Sequence, residues 1–446
     1  MKTSWLSSLL LILLGVASAT GQTITEYPIP TPLALAFEIA AGPDGNLWFT
    51  EHNAGKVGRI TPEGVITEFT IPTEFSRPLG VTTGPDGSLW FAESLVPESR
   101  IGRITTSGSI SEFVIPTAGA NPQGITTGPD GAVWFTENFR SKIGRITTSG
   151  SIIEFPLPPC AGCAFRSGPG GIVSGPDGAL WFTEQWANKI GRITTAGAIS
   201  EFVIGPPLDC GSTGCGPISI VEGPDGALWF TERDANRIGR ITTSGVITAF
   251  PIPTPDSQPY GIVAGLDGNL YFTEGAGNKI GRITTSGAIT EFPIPTSGSL
   301  PQGITLGPDG AIWFTEVLAN KIGRLSLDPL TCEPGPTTLC LASGRFRVTA
   351  DWRRADGTSG PGQAISLTAD SGYFWFFDPS NVETVVKVIN ACSVNNHHWV
   401  FAAGLTNVEV TLRVVDMQTN SAKTYVNSLG AAFQPIQDTS AFATCP

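Results

Sequence analysis

Histidine is nearly absent from this chain. Three occur in 446 residues, at His52, His397 and His398. Imidazole is the side chain that ordinarily titrates near neutral pH, so chemistry built on several histidines is excluded for most of the sequence. Charge is also scarce: 14% of residues are charged, with a net balance of −12. There is no basic cluster, and an acidic surface repels phosphate backbones, which argues against nucleic acid as a partner. No G-x-S-x-G elbow and no Ser-His-Asp set is found, so nucleophilic hydrolysis lacks its residues. Long apolar runs are missing beyond the N-terminus, whereas a membrane-spanning helix needs about 20 such residues.

The one apolar run lies in residues 1–19. Lys2 supplies a positive start, Leu9 to Val16 an apolar centre, and Ala17-Ser18-Ala19 an A-x-A cleavage site. This is the pattern of an export signal. Cleavage would leave no transmembrane anchor and a secreted or periplasmic protein. Export makes disulfides the default use of the eight cysteines. Cys332 and Cys340 are expected to bond locally, and Cys392 and Cys445 to tie down the C-terminus. Cys160/Cys163 and Cys210/Cys215 sit in two loops on one face, where pairing within or between loops stays open. The C-x-x-C at Cys160 also has the spacing of half a zinc site or a redox centre, but no histidine lies near it in sequence.

Glycine and proline are plentiful, at 54 and 36 residues, with 11 Trp and 24 Phe. That composition is too apolar and aromatic for disorder and suits short strands joined by tight turns. A repeat organises them. G-P-D-G begins at Gly42, Gly84, Gly128, Gly175, Gly223 and Gly307, and G-L-D-G at Gly265. The spacings of 42 to 48 residues suit four-stranded propeller blades. The seventh blade runs into Leu327-Asp328-Pro329 without a fourth strand of its own. An orphan copy stands at Ile24 to Pro30. The expected fold is therefore all-β: a seven-bladed β-propeller over 20–329, closed by the N-terminal strand, then a small β-sandwich-like domain over 330–446.

Every blade ends its second strand with a glutamate: Glu51, Glu93, Glu137, Glu184, Glu232, Glu274 and Glu316. A ring of hard oxygens is one way to hold a cation. Each blade also repeats a base before its third-strand glycine, such as Lys321, and an arginine after it, such as Arg324. That recurrence points to structural ion pairs of the glutamate with these bases. The Trp set at Trp48 and its counterparts, with Tyr271 in the sixth blade, is expected to pack between blades. Function should lie where blades differ. The residues five before each turn glycine are Phe37, Leu79, Gln123, Gly170, Ile218, Tyr260 and Gln302. With the variable Trp186 and Arg233 they are expected to form a neutral, partly aromatic funnel on the upper face.

The pattern P-x-G-I, G-P-D-G, x-L-W-F-T-E and N-K-I-G-R-I-T, seen from Pro122-Gln123-Gly124-Ile125 through Ile146-Thr147, resembles the virginiamycin B lyase (streptogramin lyase) family over residues 24–329. The resemblance implies a magnesium-dependent carbon–oxygen lyase that linearises streptogramin B-type cyclic depsipeptides by elimination. It also implies a histidine base at the x of P-x-G-I and a metal-holding glutamate closing W-F-x-E. The corresponding late-blade positions here are Tyr260 and Gln302 for histidines, and Glu316 for the glutamate. Glu316 matches and neither histidine is present. Elimination needs a base of near-neutral pKa, which glutamine cannot supply. His52 is the one histidine of the propeller and the candidate for a displaced base.

In the tail, apolar and polar residues alternate over 344–351, 364–377, 382–388, 398–403 and 408–415, which suggests a sandwich of short strands. His397 and His398 would point to opposite faces of a strand and make a poor joint metal site. Three functions compete: binding of a small molecule, peptide or envelope partner; streptogramin-type lyase activity with Mg2+; and a structural role in an envelope or matrix. The missing histidines favour binding.

Overall fold

The computed structural model describes residues 23–443 apart from Val96, 160–166, 206–215, 328–331 and 418–420. The loop cysteines Cys160, Cys163, Cys210 and Cys215, together with Cys445 and the leader, lie outside the described residues.

Seven four-stranded antiparallel sheets carry the repeat, six of them in chain order from the axis outwards and the seventh with the N-terminal strand outermost. Burial follows from that order. The second strand, L-W-F-T-E, is buried at all five positions because both of its faces meet neighbouring blades. The fourth strand is the outer edge and alternates, with Ile66, Glu68 and Phe69 half-buried and Thr67 and Thr70 exposed. The turn between the first two strands needs a glycine in the left-handed region, as at Gly310 with φ 76°. Gly323 serves another purpose. A Cβ there would stand 2.2 Å from the Phe314 ring, so glycine lets that ring lie across the third strand.

Tryptophan joins the blades, as expected. Trp134 stacks on Phe155 of its own blade, with centroids 5.5 Å apart. With Ile143 it packs on Ile172, Leu180, Phe182 and Ile193 of the next blade. Its Nε1–H donates to Asp130 of the G-P-D-G turn at 3.0 Å, and Asp130 also bridges Arg145 at 2.7 Å. Seven such inter-blade clusters close the ring. In the sixth blade Tyr271 takes the tryptophan place and its hydroxyl donates to Asp267 at 2.8 Å.

The N-terminal strand Ile24–Pro28 pairs with Lys321–Leu325, from Ile24 opposite Leu325 to Pro28 opposite Lys321. It supplies what the seventh blade lacks. Tyr27 stacks on Trp313 at 5.6 Å, and Glu26 bridges Lys321 at 2.9 Å. The seventh blade therefore has four strands like the other six, and its third strand is paired on both sides.

Beyond residue 331 two five-stranded sheets enclose one core that includes Phe346, Val348, Leu412, Phe374, Val386 and Val400. The alternation located the central strands, but the expected strand over 364–377 is a hairpin of Gln363–Thr368 and Ser371–Trp375. Four further strands, Leu339–Leu341, Ser359–Pro361, Ala422–Asn427 and Ile436–Phe442, carried no apolar signal strong enough to be read. They lie at sheet edges or are short, so their composition is polar or mixed. His397 is half-buried, while His398 is buried against Phe346 at 5.1 Å, as opposite strand faces require. Cys332 and Cys340 are bonded, with Cα atoms 5.5 Å apart. Cys392 is also disulfide-bonded.

Candidate functional site

The funnel residues owe their direction to a bulge. In every blade the ladder between the first two strands slips between the proline-type position and the isoleucine-type position of P-x-G-I, as between Pro122 and Ile125. Two residues leave the ladder there, and such bulges re-aim side chains. A threonine of L-W-F-T-E repairs the lost pairing. Thr136 accepts the Gly124 N–H at 3.0 Å and donates to the Gly170 carbonyl of the next blade at 2.8 Å. Thr273 does the same between Gly261 and Gln302, at 2.9 and 2.8 Å. The second blade has Ala92 in this place.

The re-aimed residues line a central cavity of about 330 Å³. Phe37, Leu79, Gln123, Ile218 and Tyr260 contribute to it, as does Arg233 from the loop after the fifth blade's second strand. That volume lies at the small end of ligand pockets. Arg233 is bridged to Asp234 at 2.9 Å. Burial, reinforced by a nearby carboxylate at Glu38, keeps Tyr260 a neutral phenol. Gln302 is half-buried, with its Oε1 enclosed and lacking a donor. Trp186 does not line the cavity. It stands on the rim, 46% exposed and stacked on Phe139 at 6.3 Å.

Glu38 was not legible as a site residue. It lines the cavity at the position where the other blades have Gly80, Gly124, Gly171, Ser219, Gly261 and Gly303. Its Oε2 lies over the seventh blade, 3.1 Å from where a Cβ on Gly303 would stand. Burial pushes its carboxyl up to about 7, opposed by a hydrogen bond from the Ile39 backbone. The break from glycine within P-x-G-I was the available signal.

His52 is not a surface histidine. It is half-buried behind Phe37, with ring centroids 5.0 Å apart, and its Nδ1 is buried without a partner. Burial lowers its pKa, against hydrogen bonding to the Pro78 backbone that raises it.

The ring of second-strand glutamates requires a correction. These carboxyls do not pair with the two repeated bases, except in one blade. The lysine binds the fourth-strand glutamate instead, as in Lys56–Glu68 at 2.9 Å, Lys142–Glu154 at 3.1 Å and Lys279–Glu291 at 2.7 Å. The arginine binds the turn aspartate, as in Arg324–Asp309 at 2.7 Å. The second-strand carboxyl is left fully buried beside the fourth-strand one. Burial first, then that neighbouring charge, push Glu316 up to about 8, and Glu51 and Glu137 likewise. Such a carboxyl keeps its proton at neutral pH. In the fifth blade the fourth strand has Ala249, and Arg237 turns to Glu232 at 2.6 Å.

The family model for the virginiamycin B lyase family matches residues 13–207 and 207–335. The chain belongs to the virginiamycin B lyase family. It is 42% identical to virginiamycin B lyase from Staphylococcus aureus, over 69% of this chain and 100% of that one, with a TM-score of 0.64. A catalytically inactive histidine-to-alanine form of that lyase with quinupristin matches equally in identity and coverage, with a TM-score of 0.63. A streptogramin B lyase structure is 38% identical over 69% of this chain and 98% of that one, also with a TM-score of 0.63.

Magnesium, which the family implies, does not fit the residues present. Glu316 is 0% exposed and its carboxyl lies against that of Glu26, inside the blade. Tyr260 and Gln302 offer a neutral phenol and an amide in place of imidazoles. Among the described residues no group of three or more His, Cys, Asp or Glu converges.

Proposed function

We propose that this family member is an exported ligand-binding propeller whose central cavity takes a small, partly apolar molecule. The observation that carries this reading is the wall of the cavity. It joins Phe37, Leu79 and Ile218 to the polar groups of Gln123, Tyr260 and Arg233, while the positions of the family's histidines hold groups that do not titrate near neutral pH. Export is supported by the leader pattern and by the Cys332–Cys340 bond.

The identity of 42% to a virginiamycin B lyase favours a second reading, a lyase with a rearranged site. One assay separates the two. Purified protein is incubated with a streptogramin B antibiotic and magnesium and followed by mass and by ring-opening absorbance. The binding reading expects an intact macrocycle, with line broadening or saturation transfer if the antibiotic occupies the mouth. Robust magnesium-dependent linearisation would overturn it, and loss of that turnover in His52→Ala would place the base in the first blade.

A further inference from the structure

We propose that Glu38 makes the central cavity a site for organic cations, in which a protonated amine meets the Glu38 carboxylate and an apolar body lies against Phe37, Leu79 and Ile218. This rests on the reading of the cavity as a ligand site and names the chemistry that the site selects.

The first argument is steric. Five of the seven blades have glycine where the first has Glu38. A Cβ at Gly80, Gly124, Gly171, Gly261 or Gly303 would come within 2.3 to 2.8 Å of the next blade's backbone carbonyl. These five blades are packed for no side chain at this place, the fifth blade takes only the small Ser219, and contacts under 3.0 Å require the backbone to give way. A long, charged residue is a costly choice here on packing grounds alone. Its side chain lines the cavity, with Oε2 over Gly303 of the seventh blade.

The second argument is electrostatic. Among the described residues Glu38 takes part in no salt bridge, and Arg233, the one cationic side chain lining the cavity, is already bridged to Asp234. The groups that face Glu38 from neighbouring elements do not neutralise it. Tyr260 is a neutral phenol, His52 stands behind Phe37 with its charge disfavoured by burial, and Gln302 and Leu79 do not titrate. A half-buried carboxyl without a counter-charge is pushed up by burial, to about 7 at Glu38. A bound ammonium supplies the missing charge, favours the carboxylate and expels the proton. The net charge of −12 draws cations toward the protein in general.

The test uses three indoles of similar size: tryptamine as the cation, tryptophol as the neutral analogue and indole-3-acetate as the anion. Affinities are read by ligand-observed NMR on the intact mature protein. Tryptamine is expected to bind at pH 8 at least tenfold more tightly than the other two. Its affinity should fall by about tenfold or more in Glu38→Gln and stay within about twofold in Glu63→Gln, which removes an exposed charge elsewhere. Wild-type affinity for tryptamine should rise between pH 6 and pH 8, where the ligand stays protonated, and the Glu38→Gln response should be flat. Glu38→Gly restores the repeat and is expected to melt no lower than wild type, which separates a binding role from a folding one. Equal binding of all three indoles, or equal loss of all three in Glu38→Gln, would overturn the role of Glu38 and leave the cavity as a binding site. Absence of binding by any of them would overturn both.

Discussion

The fifth blade and the other six solve one electrostatic problem in two ways. All seven bury a glutamate at the end of the second strand. In six of them the fourth strand sets a second carboxylate beside it, and the lysine or arginine of the third strand is engaged elsewhere. The buried carboxyl is then held neutral by its own proton: up to about 7 at Glu184 and Glu274, about 8 at Glu51, Glu137 and Glu316, and about 9 at Glu93. In the fifth blade Ala249 takes the second carboxylate away. Arg237 then binds Glu232 at 2.6 Å, which works against the upward push of burial on Glu232. The difference shows how the fold deals with the charge of the repeated glutamate. It is a buried group that the fold neutralises with whatever lies beside it, a proton or a guanidinium.

The strongest way to break the comparison is to remove a whole partner strand. Deleting residues 23–30 from the mature chain takes Glu26 and Tyr27 from the seventh blade and exposes its edge. We expect a loss of more than about 4 kcal/mol, or failure to fold, measured by urea denaturation. A melting curve like that of the full mature chain would refute this account of closure.

Next comes the neutralising group itself. Glu232→Gln strips Arg237 of its carboxylate and should cost about 1–3 kcal/mol, below the range for fully buried pairs because the arginine is 22% exposed. The same change in the fourth blade, Glu184→Gln, replaces a carboxyl that is already neutral with an amide of the same shape. It should be neutral at pH 5 and stabilising by about 1–2 kcal/mol at pH 8. Equal losses for the two variants in parallel denaturation curves would show that the two blades do not differ.

The pH profile follows from the same groups. A glutamate whose folded pKa is raised above its ordinary 4.5 costs stability as pH climbs from that value to the folded one, because only the unfolded chain gives up the proton freely. For these six groups the window runs from about 4.5 to about 9. Burial opposes the charge of Glu26, Glu68, Glu154 and Glu291, but hydrogen bonds from lysine and threonine outweigh it and hold them below the usual range. Their contribution is present above about 4.5 and is lost as pH falls through their folded values. The melting temperature should therefore rise from pH 8.5 to about pH 5 and fall again below pH 4. A profile that rises steadily to pH 8 would contradict the protonated pairs.

The smallest effect is expected from making the fifth blade like the rest. Ala249→Glu offers Arg237 a second carboxylate at the exposed edge and should change stability by no more than about 1 kcal/mol. Its signature is a shift of Glu232 to higher pKa, readable by carboxyl carbon NMR.

Much of the propeller was legible because its signal is periodic. Seven turn motifs count the blades, and the missing fourth strand after Arg324 together with the orphan at Ile24 forces the closure. The tryptophans were placed between blades by their regular recurrence. In the tail the apolar alternation found the core strands around Val348, Val386 and Val414 but not the edge strands, where half-exposed residues weaken the pattern. For the cavity, sequence located Phe37, Gln123, Tyr260 and Arg233 through their variability among blades. Glu38 escaped that signal because it stands where five blades have glycine, a place that reads as backbone geometry and not as a side chain facing a ligand.

By itself, then, the sequence determined the architecture: strand number, blade order, the closing strand and the family, since all are carried by local patterns repeated along the chain. Only the tertiary structure decided which charges meet. Lys56 could be matched on paper to Glu51, five residues away, but it bonds to Glu68, twelve residues away on the next strand. Cross-strand register places one carboxylate within reach of the ammonium and the other inside the blade, and register is a property of paired strands that no single strand encodes.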